Sequence, residues 1–146
     1  MLMQQLMTDL KTAMKSHDQV RLNTIRLIKS ALMNEKIRLG RELTPDEELT
    51  VLSREKKQRL ESISEFEHGK RPDLVAQSKQ ELALVSAYLP QELSETELTD
   101  LVKKAITATK ASKKSEFGKV MKVLMPEVKG RADGKIVAKL VQSHLN

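Results

Sequence analysis

The residues of this chain whose types and spacing could do chemistry are cations. Between Lys110 and Lys139 stand nine basic residues (Lys110, Lys113, Lys114, Lys119, Lys122, Lys129, Arg131, Lys135 and Lys139). They face only Glu116, Glu127 and Asp133, an excess equal to the formal net charge of +6 for all 146 residues. Outside that segment 17 basic and 17 acidic groups cancel. Lysines gathered on one surface attract phosphates and release their counterions on contact, so the segment points to a polyanion. At its centre Lys129-Gly130-Arg131-Ala132-Asp133-Gly134 reads as a turn bracketed by glycines, in which the backbone can come close to a ligand.

Other chemistries find little support. Cysteine is absent, which removes disulfides, thiolate catalysis and cysteine-bound metals. His17, His68 and His144 lie far apart, each at a predicted helix end and none with a metal-binding partner one turn away, so a helix-dipole contact explains them best. None of the five glycines sits in a phosphate-cradling loop, and no serine sits in a nucleophile elbow. Glu47 with Glu48, or Glu65 with Glu67, read as solvated helix charges. No self-contained active site, cofactor site or metal site is legible. Aromatic residues make up 2% of the chain (Phe66, Tyr88 and Phe117), too few for the ring clusters that stack single-stranded bases. RNA, if bound, is expected to be held by its phosphates and shape. No run reaches the ~18 apolar residues of a membrane span, and the amino terminus does not read as a secretory signal. Cytoplasm is the expected location.

These cations must be positioned by helices. Apolar residues recur at helical spacing throughout, and nothing alternates at period two for long enough to make a strand, so the chain is expected to be all-α. A first helix is predicted over 3–16. A second runs from the N-cap Asp18 to Leu39, ended by Gly40. Thr44-Pro45-Asp46-Glu47 is a capping box with proline at the first helical position, and the third helix runs from it to about Glu67, stopping at Gly69. A fourth begins at Arg71-Pro72-Asp73 and is closed by Pro90. Ser94-Glu95-Thr96-Glu97 opens a fifth. The sixth covers about Ser115 to Met125, bounded by Pro126, and the seventh begins after Asp133. The segment Leu89-Pro90-Gln91-Glu92-Leu93 reads as a joint between an N-terminal four-helix module, 1–91, and a three-helix tail domain, 92–146.

On the sixth helix Lys119 and Lys122 point away from Phe117, Val120, Met121 and Leu124. On the seventh Lys135 and Lys139 sit opposite Ile136, Val137 and Leu140. An ordinary solvated face with a glycine turn is the plain alternative. Polyanion binding is favoured because interspersed carboxylates are scarce here and three cation-bearing elements converge on one turn. The expected contacts are Lys119, Lys122, Lys129, Gly130, Arg131, Lys135 and Lys139. Amides at the start of the seventh helix could receive a phosphate oxygen, although the Asp133 carboxylate competes for them. In the third helix Lys56 and Arg59 fall within the apolar arc of Leu49, Leu52, Leu60 and Ile63. Their stems are expected to run along that face with charged heads in water; the alternative is a groove between the modules.

A resemblance accompanies this reading. Ser53-Arg54-Glu55-Lys56-Lys57-Gln58-Arg59, Glu65-Phe66-Glu67, Gly69-Lys70-Arg71-Pro72-Asp73-Leu74 and Tyr88-Leu89-Pro90 resemble the YqeY-like proteins, small bacterial proteins. Gly118-Lys119-Val120-Met121, Met125-Pro126 and Lys129-Gly130-Arg131-Ala132-Asp133-Gly134-Lys135 resemble the tail domain that this family shares with the B subunit of glutamyl/aspartyl-tRNA amidotransferase. The resemblance implies a tRNA-docking tail, with Lys119, Lys122, Lys129, Arg131 and Lys135 facing the tRNA. It also implies an association with carbon–nitrogen ligase activity that uses glutamine as amide donor, although the catalytic body of the B subunit is missing from this chain. An accessory protein that grips tRNA or another structured RNA is therefore the leading expectation. The competing one is an adaptor docking on an aminoacyl-tRNA synthetase or amidotransferase subunit without touching RNA.

Overall fold

Helix signals in the sequence become hydrogen bonds in the structure, a computed structural model that describes residues 2–146. Among the described residues there are seven helices: α1 (Leu2–Ser16), α2 (Gln19–Leu39), α3 (Pro45–His68), α4 (Pro72–Ser86), α5 (Glu95–Thr109), α6 (Phe117–Val128) and α7 (Gly134–His144). A 3-10 turn at Lys114–Glu116 precedes α6, and no strand occurs among the described residues. The fold is all-α, as expected.

Asp18 caps α2 by accepting the Arg21 N–H at 3.1 Å. Gly40 ends it with φ 69°, its N–H donating to the Lys36 carbonyl at 2.9 Å. Before α3, Thr44 Oγ1 accepts the Glu47 N–H at 3.2 Å while Glu47 accepts the Thr44 N–H at 2.9 Å, which satisfies two amides that the helix start would otherwise orphan. The other end of α3 departs from expectation. Gly69 keeps φ −80°, and the left-handed residue is Lys70, φ 55°, beyond which the Arg71 N–H returns to the Phe66 carbonyl at 2.9 Å. The stop is thus made one residue later than the glycine suggests. Helix α4 ends at Ser86 rather than at the proline, since Leu89 precedes Pro90 and is disfavoured in helical geometry. Helix α6 does the reverse and runs through Pro126 to Val128. Proline deletes one amide donor there, and the carbonyl left over belongs to the exposed Lys122, where solvent can satisfy it.

The chain divides into two compact units, Met1–Leu89 and Pro90–Asn146. In the first, α1 packs on α2, α2 on α3 and α4, and α3 and α4 form a hairpin. Its core holds Leu6, Ala13, Ile25, Ile28, Leu32, Val51, Leu52 and Val85. Thr24 lies in this core without penalty because its hydroxyl donates to the Val20 carbonyl at 2.8 Å. The half-buried Tyr88 donates its hydroxyl to Asp9 and ties the segment after α4 to α1. Burial, and then that bond to a carboxylate, push the phenol well above its ordinary pKa, with Arg21 opposing.

Arg59 overturns the expectation of a charged head in water. It is 8% exposed, its guanidinium is held by Glu55 one turn earlier, and its Nε lies 4.0 Å from Glu81 of α4. Two carboxylates compensate the desolvation that a lone buried guanidinium would suffer. Leu60, placed on the same buried arc by its spacing, is instead 49% exposed.

The second unit closes around Leu98, Val102, Ala105, Ala111, Val120, Leu124, Val128, Val137, Val141 and Leu145, supplied by α5, α6, α7 and their flanks. Ser94 caps α5 by accepting the Glu97 N–H at 3.1 Å. The far end of the chain is fixed to the α5–α6 connection: Asn146 N–H donates to the Ser112 carbonyl at 2.8 Å, and Lys114 N–H donates to the Asn146 carbonyl at 3.0 Å.

Candidate nucleic-acid interface

Helices α6 and α7 each bury one side and expose the other, because their apolar residues recur at helical spacing. Val120, Leu124 and Val128 turn inward on α6, and Lys119 and Lys122 are exposed. Val137 and Val141 turn inward on α7, and Lys135 and Lys139 are exposed. Spacing alone places Ile136 opposite those lysines in the core, yet it is 57% exposed; the inward side of α7 is centred on Val137, one residue or 100° further round.

The turn between the helices is built as its glycine suggests. Lys129 leaves α6 in extended geometry, Gly130 takes φ 75°, and the Arg131 N–H returns to the Val128 carbonyl at 2.9 Å. Lys129 and Arg131 are half-buried. Arg131 has a duty the sequence did not disclose: its carbonyl accepts the Leu93 N–H at 2.9 Å, and its Nε donates to the Gln91 carbonyl at 3.2 Å. It therefore fastens the turn to the segment entering α5, leaving only the outer guanidinium nitrogens for a ligand. Asp133 caps α7 by accepting the Lys135 N–H at 2.8 Å, so a carboxylate sits where an anion at that helix start would bind.

The ion pairs Lys36–Glu42, Arg38–Glu35, Arg54–Glu35, Arg41–Glu47, Arg59–Glu55, Arg59–Glu81 and Arg71–Asp73 lie in the N-terminal unit. Within the C-terminal unit, none of the proposed contact cations pairs with Glu116, Glu127 or Asp133 among the described residues. Two surface cavities meet at Arg131. One of about 590 Å³ is lined by Leu93, Leu98, Ile136 and Leu140, with Asp133 and Lys139 at its polar side. The other, about 880 Å³, brings Arg131 beside Lys103, Lys104, Glu97 and Asp100 of α5. Lys119, Lys122 and Lys135 line neither. The seven expected contacts thus form two exposed lysine pairs and a structured turn rather than one pocket. Lys103 and Lys104, adjacent in sequence, are further cations of this surface; the nearby Asp100 masks them where only charge excess is considered.

Elsewhere the polar groups have structural duties. His68 and His144 each place Nδ1 against a carbonyl one turn back on their own helix, Ser64 at 2.8 Å and Leu140 at 2.9 Å. A carbonyl only accepts, so each contact is a hydrogen bond in the tautomer that carries its proton at Nδ1. Among the described residues no group of three or more histidine or acidic side chains could hold a metal ion, and no helix is long and apolar enough to cross a membrane.

Fold and surface together define an all-helical protein of two units whose C-terminal unit presents lysines away from its core. The chain belongs to the Yqey-like protein family, whose model matches residues 3–145. It is 35% identical over 141 residues to a protein of Pyrenophora tritici-repentis named altered inheritance of mitochondria protein 41, mitochondrial, covering 94% of this chain and 77% of the relative. Proteins of the same name in Saccharomyces cerevisiae and Candida glabrata are 35% and 33% identical, over 87% and 82% of this chain and 68% and 66% of theirs. These names overturn the cytoplasmic expectation, since the relatives are mitochondrial proteins. They also correct the view of the family as bacterial, because these relatives are fungal.

Proposed function

We propose that the C-terminal unit docks on the phosphate backbone of a structured RNA, tRNA first among candidates, and that the protein is an accessory factor rather than a free-standing catalyst. The observation that supports this is the outward placement of Lys119, Lys122, Lys135 and Lys139 opposite two buried helix faces, unpaired with Glu116, Glu127 and Asp133. Phosphates that meet such lysines shed their condensed counterions, which makes binding depend on salt. The association with glutamine-dependent carbon–nitrogen ligases, carried by resemblance, would then reflect delivery or retention of the RNA.

The test is binding of total tRNA to the whole chain across a salt series. Replacing all four lysines with glutamine is expected to weaken binding and to flatten the log–log salt slope by about 0.7–0.9 for each phosphate no longer neutralised. Arg131 is left intact, so that a loss cannot be blamed on an unfastened turn. Unchanged affinity and slope in the fourfold variant would sink the proposal. A second reading, an adaptor for a synthetase or amidotransferase, draws on the apolar cavity of about 590 Å³ beside the exposed Ile136. A protein-mediated association survives nuclease digestion, whereas an RNA-mediated one does not.

A further inference from the structure

The motif Glu65-Phe66-Glu67, followed by Gly69-Lys70-Arg71-Pro72-Asp73, plays no part in the tail's proposed role. The structure folds it into the tip of the α3–α4 hairpin. A cleft of about 450 Å³ opens there, with Phe66, Pro72, Val75 and Ala76 as apolar walls and Glu67, Lys70, Arg71 and Lys79 as polar groups. Its size lies in the range of small-molecule sites, and an apolar lining with a few polar groups is the usual make-up of such sites. Arg71 is engaged by Asp73 at 3.2 Å. Lys70 and Lys79 are both exposed, and neither enters an ion pair among the described residues. Lys70 is aimed by the left-handed cap that ends α3, and Lys79 stands two turns into α4. Phe66 belongs to neither hydrophobic core cluster, so its half-buried ring is not needed to fill one.

We propose that this cleft binds a nucleoside phosphate, with the base against Phe66 and the phosphate held by Lys70 and Lys79. An anion alone would need no aromatic wall, and an apolar ligand alone would not call for two ammonium groups. Glu67 can accept from a ribose hydroxyl or an exocyclic amine. The scarcity of aromatic residues excludes a platform for several stacked bases, but one ring suffices for one base. The same unit can come from a free nucleotide or from the end of an RNA strand.

The experiment is calorimetric titration of the full chain with AMP, with adenosine and inorganic phosphate as separate probes. One saturable site for AMP is expected with Kd below about 1 mM, and roughly tenfold or weaker binding of either fragment. Lys79→Gln and Lys70→Gly should each lower AMP affinity roughly tenfold, the scale of one hydrogen bond to a charged group. Both positions are exposed, and glycine suits the left-handed backbone at residue 70, so neither variant threatens folding. Phe66→Leu should lower affinity roughly fivefold or more by removing the stacking surface. A single-stranded tetranucleotide that binds more tightly than AMP assigns the site to an RNA end; equal or weaker binding assigns it to a free nucleotide. Absence of saturable AMP binding below about 1 mM, or binding indifferent to both lysine variants, overturns the proposal. Because these residues lie outside the tail, failure here leaves the RNA-docking reading untouched.

Discussion

Arg59 shows how far a single side chain can depart from its pattern. Long basic residues inside an apolar arc usually lift their charge to solvent, yet this guanidinium stays inside because Glu55 waits one turn before it and Glu81 faces it from α4. An arrangement of this kind is costly to break from one side, since truncating the cation leaves two carboxylates crowded at the same place. Arg59→Ala is therefore expected to destabilise the protein by about 3–5 kcal/mol, read as a lower urea midpoint at unchanged m-value. Arg59→Met with Glu55→Gln and Glu81→Gln, which retains volume and removes all three charges, should recover much of that loss. If Arg59→Ala costs no more than a surface change, about 0.5 kcal/mol, the triad is not coupled.

At the scale of elements, the start of α3 is held by charge as well as by capping. The Arg41 guanidinium donates to Glu47 at 2.7 and 2.9 Å, and the Thr44 amide donates as well. Chiefly through Arg41, the carboxyl is held at about 2 instead of 4.5. Its pKa is lower when folded, so the unfolded chain binds the proton more readily. The stabilisation is fully present above about pH 4.5 and is lost as pH falls through about 2. Urea unfolding at pH 5 and at pH 3 should show a smaller drop for Glu47→Gln than for the parent, and equal drops would refute the contribution of this cap. The cap was readable in advance because Thr44-Pro45-Asp46-Glu47 is local chemistry, and so were Asp18, Gly40, Ser94 and Asp133. Where sequence misled, the deciding term lay in a neighbour or in the end of an element: Lys70 rather than Gly69 turning the chain, Pro126 tolerated near the end of its helix, Arg131 bonded to Gln91. The lysines of the candidate interface could be seen in the sequence as a charge excess. The fastening role of Arg131 and the cleft behind Phe66 could not, since both depend on segments that meet only after folding.

For the molecule as a whole, the surplus charge lies in the shorter of the two units. Residues 90–146 carry 11 basic and 7 acidic groups, and each hydrophobic cluster draws its buried residues from one unit only. A unit of this size buries a smaller fraction of its surface than a larger domain does and has little stability in reserve, while its lysines repel one another whenever no polyanion is bound. RNA should therefore stabilise the C-terminal unit by mass action, raising its melting temperature with concentration. A cavity cut into its core should also disable RNA binding without touching a single cation. Leu124, fully buried on α6, is the residue to cut. Leu124→Ala is expected to cost about 2–5 kcal/mol, enough to unfold a marginal unit of this length, while Leu6, Ile25 and Val85 hold the other core intact. Circular dichroism of the full-length variant should then show partial loss of helix and one surviving thermal transition, together with loss of tRNA binding. A single cooperative transition that moves as a whole would mean that the two cores are energetically joined. Retained binding by a chain whose C-terminal unit has melted would mean that the lysines need no helical scaffold, and that their placement on α6 and α7 is not what the RNA recognises.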